Sequence, residues 1–511
     1  MDIHSKIFPT LVIINASAMY LIGYDIGSSS IKTALIDAQT QETIEVVQFP
    51  EQELSIQALA PNWAEQDPEV WWTNLCLGTQ KLLSKHKINP ADIKGIGIAY
   101  QMHGLVLVDK DQQVLRPSII WCDSRAVKIG EKAFEDLGPE FCLSHYLNSP
   151  GNFTASKLKW VKNNEPNLYS KIDKVLLPGD YIAMRLTGQT GTTFSGLSEG
   201  IFWDFKKAGL ATDLLDYFEL EQDYIPKPSN SFSTLGEVHA QASAQTGLAK
   251  STPVTYRAGD QPNNALSLNV LKPGELAASG GTSGVLYGVT DKNVSDSKSR
   301  VNGFAHVNYT PDDPVIGLLL CINGAGIQYA YTKRQLGGKE LSYPEMEELA
   351  AKVGIGSDGL SILPFGNGAE RMLNSQIIGS HINNLHFNSH NASHLFRASL
   401  EGIAFAFVYG AKILSELSVD LKVIRAGNDN LFQSNIFSST IATLLNSKIE
   451  IIKTTGAIGA AKAAGIDIGI YNGLQEAFDQ VKIVKEFIPQ ENPDPYFEAY
   501  LEWSKQLQKQ I

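Results

Sequence analysis

The chain reads as an α/β protein built from two duplicated units, each a mixed sheet with flanking helices, around a central cleft. Three observations point there. A length of 511 residues exceeds what one hydrophobic core usually serves. A strand, small-residue turn, strand pattern occurs at 21–37 and again at 275–289, so each half opens with a hairpin turn suited to phosphate. Between them, Val254 to Gly284 runs from a buried segment into Gly259-Asp260 and an apolar helix. It then enters a strand that breaks at Gly280-Gly281-Thr282-Ser283-Gly284, and so joins the halves.

Taken in order, Leu21–Asp25 is a short apolar strand ending in a carboxylate that can reach a metal ion through water. Gly27-Ser28-Ser29-Ser30 is its turn, Ile31–Asp37 the returning strand with Lys32 near its start, and Thr43–Gln48 a third strand. Asn62 to Pro68 opens a helix, with proline and acidic residues in its first turn and Trp71 and Trp72 as core. Ile93–Tyr100 is a buried strand ending at Gln101-Met102-His103-Gly104, where open α/β sheets hold ligands. There His103 can donate a hydrogen bond to a sugar hydroxyl, or serve as a structural histidine. Val114–Ile120 leads into Trp121-Cys122-Asp123-Ser124-Arg125, whose Asp and Arg can pair with each other or orient a polyol. Thr154 is read as a helix cap, Val175–Tyr181 as strand into loop, and 192–204, rich in Thr, Ser and Gly, as a surface excursion.

In the second half Val315–Ile322 is a strand and Ser393–Leu417 a long helix. Val423–Arg425 runs into Ala426-Gly427-Asn428-Asp429-Asn430 and another helix, a strand–loop–helix whose N-terminus suits a nucleotide. The small residues of 454–461 allow close packing against an adenosine or a neighbouring element.

Net charge is −12, from 42 basic and 54 acidic residues, which argues against non-specific binding to nucleic acid. A bound polyphosphate has to be held by backbone N–H groups, local charges and a metal. The four cysteines are scattered with no CxxC pair, which fits a reducing compartment and a cytoplasmic setting. No apolar run reads as a membrane span. Residues 1–18 resemble a weak secretory signal, but Met19 begins a second sensible N-terminus, so they are expected to be an extension outside the fold.

Asp260, after a glycine that lets a substrate approach the backbone closely, suits a general base. Its structural alternative is a helix cap, and that of the glycines a plain hairpin turn. The surrounding motifs decide between these readings. YDIGSSSIK at 24–32, NWAEQDPEVWW at 62–72, IGIAYQMHG at 96–104 and VLRPSIIWCDSR at 114–125 resemble the FGGY carbohydrate kinases, which share the actin-like, ribonuclease H-like ATPase fold. FTASKLKW at 153–160, KVLLPGDY at 174–181, AGDQPNNA at 258–265, SGGTSG at 279–284 and ASLEGIAFA at 397–405 continue the match in the family's order.

The resemblance implies two kinase domains, at 19–271 with the sugar site and base and at 272–511 with the nucleotide site. It implies phosphorylation of D-xylulose at its 5-hydroxyl, with ATP and Mg²⁺ as cofactors and a small sugar as partner. Asp260 becomes the base, and Asp25 with Asp260 the metal carboxylates. Met102 and His103, with Trp121 and Asp123, become sugar contacts. Gly27, Ser28, Ser29 and Lys32, with Gly281, Thr282, Ser283 and Gly284, flank the phosphates. Gly427, Asn428 and Asn430 lie beside adenosine. Departures from the family pattern are Ser28 for threonine, Gln-Pro-Asn-Asn after Asp260, Asn428 in place of glycine, and Asn384 before the long helix, where asparagine tolerates left-handed backbone. A homodimer is compatible with these features. The alternatives are a kinase for another ketopentose, a pentitol or gluconate, and a non-catalytic ATP-binding regulator on the same fold.

Overall fold

The computed structural model describes residues 18–337 and 340–511. The expectation for residues 1–18 falls almost wholly outside these.

Six strands form the first sheet: β1 (Tyr20–Ile26), β2 (Ile31–Asp37), β3 (Thr43–Phe49), β4 (Ile93–Tyr100), β5 (Phe232–Glu237) and β6 (Pro253–Gly259), in the order β5-β6-β4-β1-β2-β3. Seven form the second: β7 (Glu275–Gly280), β8 (Gly284–Thr290), β9 (Asn302–Ala305), β10 (Ile316–Ile322), β11 (Val423–Gly427), β12 (Ile449–Ile452) and β13 (Ile483–Phe487). Their order is β9-β10-β8-β7-β11-β12-β13. In each sheet an antiparallel hairpin (β1/β2, β7/β8) is followed by a third antiparallel strand. Its first strand runs parallel to the next two along the sheet (β4 and β6, β11 and β12). The duplicated mixed sheet expected from the two hairpin patterns is therefore present, with β9 as an addition to the second half.

The helices that concern the site are α1 (Pro68–Lys85), α2 (Thr154–Asn164), α3 (Pro178–Thr187), α4 (Phe194–Glu199), α5 (Asp260–Ser267), α6 (Gly326–Thr332), α7 (Tyr343–Ala350), α8 (Ala392–Glu416), α9 (Asn435–Leu445) and α10 (Gly456–Asp467). Trp71 and Trp72 on α1 are core, as read. α8 is long and apolar enough to cross a membrane, but most of it is buried inside the protein. Its approach passes Asn384 at φ 58°, the left-handed conformation anticipated there.

α10 follows the second sheet in sequence but packs on the first, against β1 and β4. A Cβ placed on Gly97 would lie 1.9 Å from the Ala460 carbonyl oxygen, and one on Gly23 would lie 2.1 Å from that of Ala457. The small residues of α10 and these glycines are two sides of one close contact. Of the alternatives for 454–461, the neighbouring element is the partner.

Three local readings are corrected. Residues 192–204 are buried: Ser195 Oγ donates to the Ala305 carbonyl at 2.9 Å, Ala305 N–H donates to Ser198 Oγ at 2.8 Å, and Thr193 Oγ1 caps Gly196 N–H at 2.9 Å. Hydroxyls satisfied across a helix–strand contact give a core segment the composition of a loop. Val175–Tyr181 is a strand running into α3, with Pro178 in its first turn. Thr154 makes no capping bond; Phe153 holds the cap position of α2.

Candidate active site

The strand ends place the polar groups. Asp25 is the penultimate residue of β1 and stands across from Lys32 in the hairpin register. Burial raises its proton affinity and the Lys32 charge opposes the rise. Burial likewise raises Asp429 on the second half, and the charge of the same lysine opposes that rise. One oxygen of Asp25 would lie 2.6 Å from a Cβ on Gly456, so it abuts the first turn of α10. The turn after β1 closes with Gly27 N–H donating to the Ser30 carbonyl at 3.1 Å, leaving Ser29 exposed and Ser28 half-buried.

Asp260 ends the run of β6 and begins α5. Gly259 occupies the cap position and no side chain caps the helix, so the capping alternative for Asp260 does not hold. Burial, then the charge of Asp25, raises its carboxyl to about 7. Asp25 and Asp260 are both half-buried, and the charge of the first raises the cost of ionising the second, a cost that a divalent cation would offset. Among the described residues there is no cluster of three or more metal-ligating side chains. A Mg²⁺ here therefore fits the two-carboxylate pattern completed by phosphate oxygens and water.

Met102 is buried, and His103 sits in the left-handed region at φ 62°. His103 Nδ1–H donates to the Glu199 carbonyl at 2.9 Å, and burial lowers the ring to about 3. The ring is therefore neutral with Nε2 unprotonated, and it can accept from a sugar hydroxyl. The sequence reading had it donating. Its carbonyl and that of Ile120 are held by the buried Lys157 ammonium, at 2.9 and 3.0 Å.

Glu199, at the end of α4, is a residue the sequence reading missed. It is fully buried, and burial, then Asp260 and Asp180, push its proton affinity well up. A Cβ on Gly259 would lie 2.4 Å from its Oε2 and 2.6 Å from Met102 Cγ, so only glycine fits before Asp260. Nothing in its Thr/Ser/Gly-rich neighbourhood marks it.

Trp121 is exposed at the rim, its indole N–H 3.3 Å from Ser28 Oγ. Asp123 is fully buried and both its oxygens are taken by Arg125, with one also accepting from Ala64 N–H at 2.6 Å. Asp123 as a sugar contact is thus corrected: of its two alternatives, the ion pair holds. It fixes the loop that carries Trp121.

On the other half, Gly280, Gly281 and Thr282 border a cavity of about 790 Å³ that also takes in Tyr329, Tyr343, Glu347, Asn430 and Ser434. The loop of three residues between Gly280 and Gly284 is fixed from α6, where Gly326 and Ile327 N–H groups donate to the Gly281 and Thr282 carbonyls at 3.0 Å. Thr282 and Ser283 are exposed and Gly284 is buried. Tyr329 and Tyr343 stack at 5.6 Å with 28° between planes. Asn430 borders the cavity. Gly427 and Asn428 do not: the N–H of Asn428 pairs with Ile452 and its carbonyl with Gln433, so both shape the turn. The Tyr329–Tyr343 wall escaped the sequence reading because the two tyrosines lie on different helices and only the fold brings them together.

The arrangement offers a polar acceptor end at Met102, His103 and Asp260, two N–H-bearing turns, and an aromatic cavity beyond the second. Residues 20–267 match the N-terminal domain of the FGGY family of carbohydrate kinases. The chain is similar to the xylulose kinase of Bacillus subtilis, 29% identical over 90% of this chain and 91% of that protein. It is likewise similar to that of Escherichia coli, 27% identical over 96% and 99%. The crystal structure of xylulose kinase from Rhodospirillum rubrum superposes with a TM-score of 0.86 at 25% identity, covering 96% of this chain and 98% of that one.

Proposed function

We propose that the chain is a member of the FGGY family of carbohydrate kinases, whose N-terminal domain its residues 20–267 match, and that it transfers the γ-phosphoryl group of ATP to the 5-hydroxyl of D-xylulose. The observation that carries the reading is the placing of Asp260. Its carboxyl, raised to about 7 by burial and then by the charge of Asp25, directly follows Gly259, whose backbone packs against Met102 and Glu199. Similarity to xylulose kinases over nine-tenths of the chain selects the acceptor.

Asp260 takes the proton of the attacking hydroxyl. His103 Nε2 accepts from a second sugar hydroxyl, and Met102 packs on the carbon frame, with Trp121 at the rim. Gly27, Ser28, Ser29 and Lys32 from one half and Gly281 to Gly284 from the other take the phosphates, and adenosine lies in the aromatic cavity beside Asn430. Mg²⁺, when bound at Asp25 and Asp260, supplies charge neutralisation on the phosphates. The remaining demand is positioning, and no covalent nucleophile is needed. The working halves are 19–271 and 272–511, with α10 reaching back onto the first, and the setting is cytoplasmic.

The test is ADP release by the purified protein with MgATP against D-xylulose, D-ribulose, L-ribulose, xylitol, gluconate and glycerol. Preference for D-xylulose is expected. Preference for another acceptor overturns the substrate and keeps the mechanism. Silence across the panel with ATP bound favours the regulatory alternative.

A further inference from the structure

Every arginine of the chain except Arg334 and Arg371 holds an ion pair with a carboxylate; among the described residues these two have none within reach. A guanidinium without a carboxylate partner keeps donors free for a ligand's oxygens. Arg334 borders the aromatic cavity, where a nucleotide answers it. Arg371 stands elsewhere.

It lies in the loop after Gly366, on the second half. Its neighbour Glu370 is turned away from it, fully buried, accepting the N–H groups of Asn323 and Gly324 at 3.0 Å each. The loop is pinned by Glu370 N–H donating to the Gln376 carbonyl at 3.0 Å, so Arg371 projects from a fixed base. Its guanidinium donates to the Asn302 side-chain oxygen. Asn302 opens β9, and Phe304 two residues on packs on the His103 ring at 5.5 Å. Burial lowers His103 and the Arg371 charge adds to that fall, while burial raises Cys321 and the Arg371 charge opposes that rise, so Arg371 is felt by a group on each half. Arg371 is exposed, so its guanidinium keeps N–H groups open to a ligand beyond the one that meets Asn302.

We propose that Arg371 is an acceptor-binding residue supplied by the second half, its free N–H groups donating to oxygens of the sugar across the cleft from His103. This rests on the acceptor site proposed above. The chemistry is complementary: His103 Nε2 accepts from a hydroxyl, and a guanidinium with donors to spare suits the carbonyl and hydroxyl oxygens of a ketose. Because the donor and the acceptor stand on different halves, sugar binding bridges them and favours closure.

The experiment is calorimetric titration of D-xylulose and of MgATP, separately, into wild type, Arg371→Gln, Arg371→Lys and Arg334→Gln. Arg371→Gln is expected to weaken sugar binding about 10- to 100-fold. ATP binding should stay within about twofold and Arg371→Lys should fall between. Arg334→Gln is expected to do the reverse. Equal sugar binding by wild type and Arg371→Gln, or equal loss of both ligands, overturns the inference. A wild type that binds a different acceptor overturns the substrate only, and the same Arg371→Gln ratio on that acceptor decides the inference. A wild type that binds no acceptor overturns both.

Discussion

The two hairpins that open the two halves, β1/β2 and β7/β8, share strand order and neighbours but not their strand-end residues. β1 ends with Asp25 facing Lys32, where β7 ends with Ser279 facing Val285. β6 delivers Asp260, where its counterpart β12 delivers Ile452 and then Lys453. The first half therefore carries the carboxylates and the second the open aromatic cavity. Duplication supplies a frame, and substitutions at strand ends, where side chains leave the sheet without disturbing its core, divide the labour.

Removing the carboxylate that ends the first hairpin strand breaks that division directly. Asp25→Ala should lower turnover about 10²- to 10³-fold, read as ADP release, with nucleotide binding in the absence of metal unchanged. Ser279→Ala, the matching change in the second half, should leave turnover within a small factor.

Next comes the contact that ties α10 to the first sheet. Gly97→Ala sets a Cβ 1.9 Å from a backbone oxygen that cannot retreat without moving the helix. A loss of about 1–3 kcal/mol is expected in denaturant unfolding. Gly354→Ala, with nothing within 4 Å of its added Cβ, should stay within about 0.5 kcal/mol.

A pH profile sharpens the account of the base. Asp260 is raised to about 7 without metal, so kcat/KM should fall with decreasing pH as the base takes up its proton, and Mg²⁺ at the two carboxylates should move that fall to lower pH. The sign for stability is opposite. The folded state holds this proton more tightly than the unfolded chain, whose value is 3.8, so stability is lost as pH rises from the lower value through the higher. Asp260→Asn should remove that loss, giving a higher melting temperature than wild type at pH values above 7.

The strands and long helices were legible because burial alternates or runs apolar along them, as in Ile93–Tyr100 and Ala392–Glu416. The two glycine turns and Asp260 were legible from their motifs. What could not be read was three-dimensional complementarity. Glu199 and Lys157 are ordinary charged residues until the fold buries them, and Arg371 is distinguished only by the missing partner. The stretch at 192–204 has a loop's composition and a core's environment, since its hydroxyls find backbone partners on β9. Asp123 had two roles open in sequence, and only the position of Arg125 chose between them.

The most direct test of the division between halves is Asp260→Asn, measured for sugar-dependent ADP release and for ATP binding on the same preparation. The account predicts a fall in turnover of about 10²- to 10⁴-fold with ATP affinity retained. A variant that keeps most of its turnover, or that loses ATP binding together with turnover, would contradict it.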